Sequence, residues 1–99
     1  MTLSRRIRIP SDLAHFISHL PPPTKRKVRG GLEALLKNPQ EGKPLRAELS
    51  GLRSLQVGRL RIIYRHQGTL LEIVAIGPRD TIYQSLPSQL RNIEKSKKK

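Results

Sequence analysis

Cysteine is absent from the 99-residue chain. That rules out disulfides, thiol nucleophiles and cysteine-based metal sites, and it fits a reducing cytoplasm, where the chain is expected to act. Aromatic side chains are nearly missing as well, with one Phe, two Tyr and no Trp. A surface that stacks bases on successive rings cannot be built from that set. Acids are scarce, at seven Asp and Glu. No carboxylate pair for acid–base work stands out, and no Ser-His-Asp set has sequence support. Neither GxxxxGK(S/T) nor GxGxxG occurs, so no phosphate-binding loop of those types is expected. No apolar run is long enough to cross a bilayer. Met1 to Pro10 lacks the apolar core of a signal peptide. His15 and His19 share an i, i+4 spacing that can hold a metal, but no third ligand lies nearby. Two histidines on a helix surface are the simpler reading, and neither a metal nor another cofactor is expected.

Positive charge is what the chain has in excess. Twenty Lys and Arg leave a formal net charge of +13. Such an excess repels itself unless a polyanion relieves it. Nucleic acid is the leading partner class, because neutralising phosphates releases counterions. An acidic protein could do the same. A membrane surface is a poorer fit, since no segment combines strong hydrophobicity with a basic amphipathic face. The length corresponds to one domain, expected over residues 1–88, with a basic tail over 89–99 that ends in the Lys95–Lys99 run.

Periodicity lays out the elements. Leu3 to Ile9 reads as a strand, with Leu3, Ile7 and Ile9 on one face. Ser11 or Asp12 can cap the helix that follows, whose apolar stripe is Leu13, Phe16, Ile17 and Leu20. Pro21-Pro22-Pro23 ends it and opens a second helix, with Val28, Leu32, Leu35 and Leu36 on one side. Gly30-Gly31 inside that helix costs about 1 kcal/mol per glycine relative to alanine, and suggests close packing or a weak point. Asn38-Pro39 closes the helix, and Gln40 to Pro44 reads as a loop. Leu55 and Val57 begin a strand, Gly58 marks a turn or bulge, and Leu60 to Arg65 is the next strand. His66-Gln67-Gly68 reads as a hairpin turn. Leu70 to Ile76 is apolar on both faces except at Glu72 and should sit centrally. A partnership with a neighbouring arginine accounts for Glu72. Thr81 to Tyr83 suggests a short edge strand, and Leu86 to Ile93 a last helical turn or two. The fold class is therefore α+β: an N-terminal strand, an αα-hairpin, and antiparallel strands in one sheet with the helices on one face.

The segment from Leu52 to Tyr83 says most about function. Arg59, Arg61 and Arg65 fall at period two, opposite Leu60, Ile62 and Tyr64. Arginine offers a planar fork of donors that matches phosphate and stays charged at any physiological pH. From Lys43 to Arg65 there are six Lys or Arg, namely Lys43, Arg46, Arg53, Arg59, Arg61 and Arg65, against the single acid Glu48. Arg79 follows a glycine and proline, and Tyr83 lies four residues beyond it. A solvated basic face explains most such alternations. The net charge, Arg79 and Tyr83 together favour a phosphate-contacting site. Lys25, Arg26, Lys27 and Arg29 sit at the start of the second helix, where the dipole disfavours cations.

Three runs carry a family resemblance: Leu49-Ser50-Gly51-Leu52-Arg53-Ser54-Leu55-Gln56-Val57-Gly58, then Leu60-Arg61-Ile62-Ile63-Tyr64, then Ile76-Gly77-Pro78-Arg79 with Ile82-Tyr83. Over roughly residues 3 to 85 the chain resembles the RelE/ParE toxin superfamily of type II toxin–antitoxin systems. The resemblance implies a RelE-like fold, an acidic cognate antitoxin in a hetero-oligomer, and an endoribonuclease that cuts messenger RNA on the ribosome without a metal. By motif it implies that Arg61 contacts the scissile phosphate, that Arg79 stabilises charge or assists the leaving group, and that Tyr83 positions the substrate. Arg53 falls among further basic residues of such strands. Arg59 and Arg65 match no catalytic position, so general attraction of RNA is their expected role. Pro78 stands where many relatives carry His or Lys. Gln56 stands where Lys or Arg is common as a candidate general base, which leaves Lys43, Arg46 or Tyr83 for that role. On the same fold the resemblance also admits a ParE-like inhibitor of DNA gyrase, or an inactive member that binds only RNA or antitoxin.

Overall fold

The computed structural model describes residues 6–46, 49–78 and 82. Within them the chain forms β1 (Arg6–Arg8), α1 (Ser11–Ser18), α2 (Pro22–Lys37), β2 (Lys43–Pro44), β3 (Arg53–Val57), β4 (Leu60–Gln67) and β5 (Leu70–Pro78). Two glycine-led turns drive the meander. Gly58 (φ 62°) and Gly68 (φ 56°) occupy the left-handed region that other residues resist. Each opens a two-residue connection, so Val57 pairs with Leu60 and Gln67 with Leu70. The second turn is thus Gly68-Thr69, and His66 and Gln67 belong to the strand rather than to the turn.

The sheet order is β1-β5-β4-β3-β2. Neighbours are antiparallel except β1, which pairs parallel to β5. A parallel pair needs a long crossover, and the helices with the rest of the sheet supply it. The short β2 replaces the loop expected over Gln40 to Pro44: Lys43 pairs with Ser54 and Pro44 with Arg53. An edge position tolerates the proline. β5 is interior, as its two apolar faces require. A bulge lies opposite Ile63 and Tyr64, where Val74 is the extra residue between the partners Ile73 and Ala75. It shifts the strand's phase, so Leu71, Ile73 and Ile76 share one face while Val74 and Ala75 share the other.

The helices cover one face. Val28 and Leu35 of α2 are buried with Ile62, Tyr64, Leu71, Ile73 and Ile76, and Leu13 of α1 joins them. Ile7, Ile9, Ile17, Leu20, Leu32 and Leu36 pack around this core. Phe16 does not. It is 37% exposed, since the eight residues of α1 turn only Leu13 and Ile17 firmly inward. Nor do Ser11 or Asp12 cap α1: Pro10 precedes its first residue, with no side-chain cap. In α2, Pro22 and Pro23 occupy the first turn, where a missing N–H costs nothing. Gly31 explains the close approach of α2 to the sheet. A Cβ there would lie 2.9 Å from Val57 Cγ2 and 3.4 Å from Ile62 and Leu55, whereas one at Gly30 would meet nothing within 4 Å. The helical turns expected over Leu86 to Ile93 fall outside the described residues, as do Thr81 and Tyr83 of the expected edge strand, and Ile82 between them is helical rather than extended.

These two glycines give a direct check. Gly30→Ala is expected to raise the unfolding free energy by about 1 kcal/mol through helix propensity alone. Gly31→Leu is expected to lower it by about 1–3 kcal/mol through overpacking. Chemical denaturation of both variants measures the contrast.

Candidate functional site

The face of the sheet turned away from the helices carries a second, smaller core and, among the cations of the basic stretch, Lys43, Arg61 and Arg65. Leu52, Ile63, Val74, Ala75 and Ile82 are buried there, with Leu45 and Leu49 packed around them. Register brings three rows of side chains to this face. Gln56, Arg61 and Gly77 form one, Lys43, Ser54, Ile63 and Ala75 the next, and Arg65, Glu72 and Arg8 the third.

Arg61 lies on this surface next to the β3–β4 turn and is half-buried. Its Nη1 donates to Ser54 Oγ and its Nη2 to Gln56 Oε1, both at 3.4 Å. These are long bonds to neutral acceptors. Its Nε is buried and has no hydrogen-bond partner among the described residues. The guanidinium is therefore oriented along β3, yet its charge is not cancelled by a carboxylate there. Gly77 faces it from β5, and Ile82 packs on that glycine: a Cβ at Gly77 would lie 3.0 Å from Ile82 Cδ1. The chain thus returns over the sheet beside Arg61 at a point between Arg79 and Tyr83 in sequence. Arg79 and Tyr83 themselves lie outside the described residues.

The other arginines of the basic stretch separate into different environments. Arg65 shares the face of Arg61 but is committed: its Nη2 and Nε donate to Glu72 Oε1 at 2.8 and 3.2 Å. The sequence anticipates this pair, since Glu72 is the polar exception on an apolar strand. Arg59 sits in the β3–β4 turn and lines a groove of about 420 Å³ with Lys27, Leu20, Pro21, Val57 and Leu60 on the helical side. Lys43 shares the face of Arg61 with the buried Ser54 at the sheet edge, and both Lys43 and Arg46 are exposed.

Arg53 is placed on the opposite face. It pairs with Tyr64, and its Nη1 donates to the carbonyls of Gly42 at 2.8 Å and Gln40 at 3.4 Å. Tyr64 anchors the same loop. Its hydroxyl donates to Pro39 O at 2.5 Å and accepts from Gly42 N at 2.9 Å. Gly42 admits no side chain, because a Cβ would stand 2.7 Å from Tyr64 Oη. Burial pushes the Tyr64 phenol above its ordinary value of 10.0, against the lowering influence of the Gly42 hydrogen bond and the Arg53 charge. Sequence reasoning missed this clamp, because its members lie 22 and 25 residues apart.

His15 on α1 and His19 at its C-terminal cap are exposed, their rings 4.2 Å apart. Among the described residues no group of three or more His, Asp or Glu could hold a metal ion, and no helix is long and apolar enough to cross a membrane.

The Tyr64 clamp has a pH signature. Above pH 10 the unfolded chain loses the phenolic proton while the folded chain keeps it, so stability should decline as pH rises through that range. Tyr64→Phe is expected to remove this decline and to cost about 1–3 kcal/mol, since Gly42 N–H and Pro39 C=O lose their partner. Urea melts of both proteins between pH 7 and 11 read out both effects.

The family model described as "ParE toxin of type II toxin-antitoxin system, parDE" matches residues 8–83. Among solved structures, the toxin–antitoxin complex RelBE2 from Mycobacterium tuberculosis contains a chain 29% identical to this one. The match has a TM-score of 0.60 and covers 76% of this chain and 98% of that chain. Among curated proteins none matches.

Proposed function

The chain belongs to the RelE/ParE superfamily of type II toxin–antitoxin toxins, and from that premise we propose that it is a metal-independent endoribonuclease that cleaves messenger RNA on the ribosome. The observation that carries this reading is Arg61: a half-buried guanidinium oriented beside the smaller core by two neutral acceptors, with no carboxylate partner among the described residues and its charge left for a phosphate.

The chemistry follows from the residue types. The 2′-oxygen of the RNA attacks the adjacent phosphorus, the bond from phosphorus to the 5′-oxygen breaks, and a 2′,3′-cyclic phosphate and a 5′-hydroxyl result. One proton leaves the 2′-hydroxyl and one is delivered to the departing 5′-oxygen. Arg61 stabilises the extra negative charge on the phosphoryl oxygens. Arg79 acts on the same charge or on the leaving oxygen, and Tyr83 positions the substrate. Arginine is a poor proton carrier at neutral pH, so the phosphate grip is built in while proton transfer is not supplied by Arg61. Such a site is slow on free RNA and gains from a scaffold that fixes the attack in line, which suits a ribosome-bound substrate. Lys43 and Arg46, exposed at the sheet edge, extend the attraction for RNA, as does Arg59 from the turn. The cognate antitoxin is acidic and restrains the toxin by covering this charge, in a contact that weakens as salt rises.

A second reading is favoured by the family model, whose description is that of ParE. On it the chain inhibits DNA gyrase by binding and needs no catalytic arginine. Expression of the free toxin separates the two. Cleaved ribosome-bound messages with intact DNA support the nuclease; a DNA-damage response with intact messages overturns it. Arg61→Ala and Arg79→Ala are each expected to lower cleavage by about 10²–10³-fold and to relieve growth arrest, with circular dichroism unchanged.

A further inference from the structure

The residue opposite Arg61 on β3 is Gln56, and its amide is turned by two contacts. Its Nε2 donates to the carbonyl of Gly58 at 3.2 Å, which leaves its Oε1 to accept from Arg61 Nη2 at 3.4 Å. The amide thus bridges the hairpin turn and the guanidinium. The same face offers an internal contrast. Arg65 has a carboxylate, Glu72, directly opposite and closes on it at 2.8 Å. A carboxylate both orients and neutralises its arginine, whereas an amide orients it and adds no charge. The longer bond at Arg61 also leaves donors free for a stronger acceptor.

We propose that Gln56 is a positioning residue: a neutral tether that aims Arg61 at an RNA phosphate and keeps its charge uncompensated. This rests on the reading of Arg61 as the phosphate contact. It assigns the two cross-strand arginines opposite jobs by the residue each one faces. Arg65, opposite a carboxylate, holds the sheet. Arg61, opposite an amide, meets the substrate.

The test uses the full-length toxin and a short single-stranded RNA with 2′-deoxy substitutions that block cleavage, with affinity measured over a range of salt concentrations. Gln56→Glu keeps the shape of the exposed side chain and supplies the missing carboxylate. It is expected to leave the melting temperature unchanged or higher and to weaken RNA binding by about tenfold. Its salt dependence should become shallower by about 0.7 in slope, the loss of one phosphate contact on a single strand. Gln56→Ala removes the tether without adding charge, and should weaken binding about threefold with the slope retained. Thr69→Glu changes net charge equally in the exposed β4–β5 turn, and should have little effect. If Gln56→Glu binds as the parent does while Arg61→Ala is weakened, the role of Gln56 is wrong and the phosphate contact stands. If Thr69→Glu weakens binding as much as Gln56→Glu, the effect is one of net charge and the proposal also falls. If Arg61→Ala itself binds RNA and arrests growth like the parent, the functional reading fails and takes the proposal with it.

Discussion

The alternation of side chains along β4 is the constraint on which the rest of the molecule depends. Ile62 and Tyr64 are buried toward the helices, so Arg61, Ile63 and Arg65 must face the other way. A slip of one residue would drive arginines into the core and expose the residues that α2 needs. Several devices hold the register. Glycine turns close both ends of the strand at Gly58 and Gly68. Arg65 pairs with Glu72 across β5. Tyr64 pins the loop that leads from α2 into β2 through Pro39 and Gly42. The surface that carries Arg61 is thus the reverse side of the packing surface, and the two cannot be varied independently.

This arrangement lets a small, very basic domain keep its cations apart by role. Arg53 and Arg65 are spent on structure, one on backbone carbonyls and one on a carboxylate. Lys27 and Arg59 line a groove on the helical side. Among the described residues Arg61 is held by neutral acceptors alone. A net charge of this size can draw in a polyanion from a distance, but only a cation that the fold has oriented and not neutralised can contribute where charge develops on a phosphate.

Much of this was legible in the sequence. The two helices, the meander, the packing role of Gly30-Gly31 at its second position, and the Glu72 partnership all follow from local spacing. What was hidden is non-local. Arg53 and Arg61 look equivalent as odd-numbered positions, yet the two-residue turn pairs odd positions of β3 with even positions of β4. They land on opposite faces, and only the turn length decides that. The bulge at Val74 reverses the phase of β5 in a segment where both faces are apolar and give no signal. The Tyr64 clamp joins a tyrosine to backbone groups more than twenty residues away, and no side-chain pattern announces a backbone partner. The parallel seating of β1 beside β5 likewise follows from the crossover and not from any feature of Arg6–Arg8.

The central claim is that substrate meets the sheet face opposite the helices, at Arg61. Solution NMR of the isotopically labelled toxin, titrated with a short 2′-deoxy-blocked RNA, tests it most directly. The account predicts that the largest chemical-shift changes fall on Lys43, Ser54, Gln56, Arg61 and Gly77, with α1 and α2 little moved. Changes confined to the helices, with the Arg61 guanidinium and its row undisturbed, would contradict it.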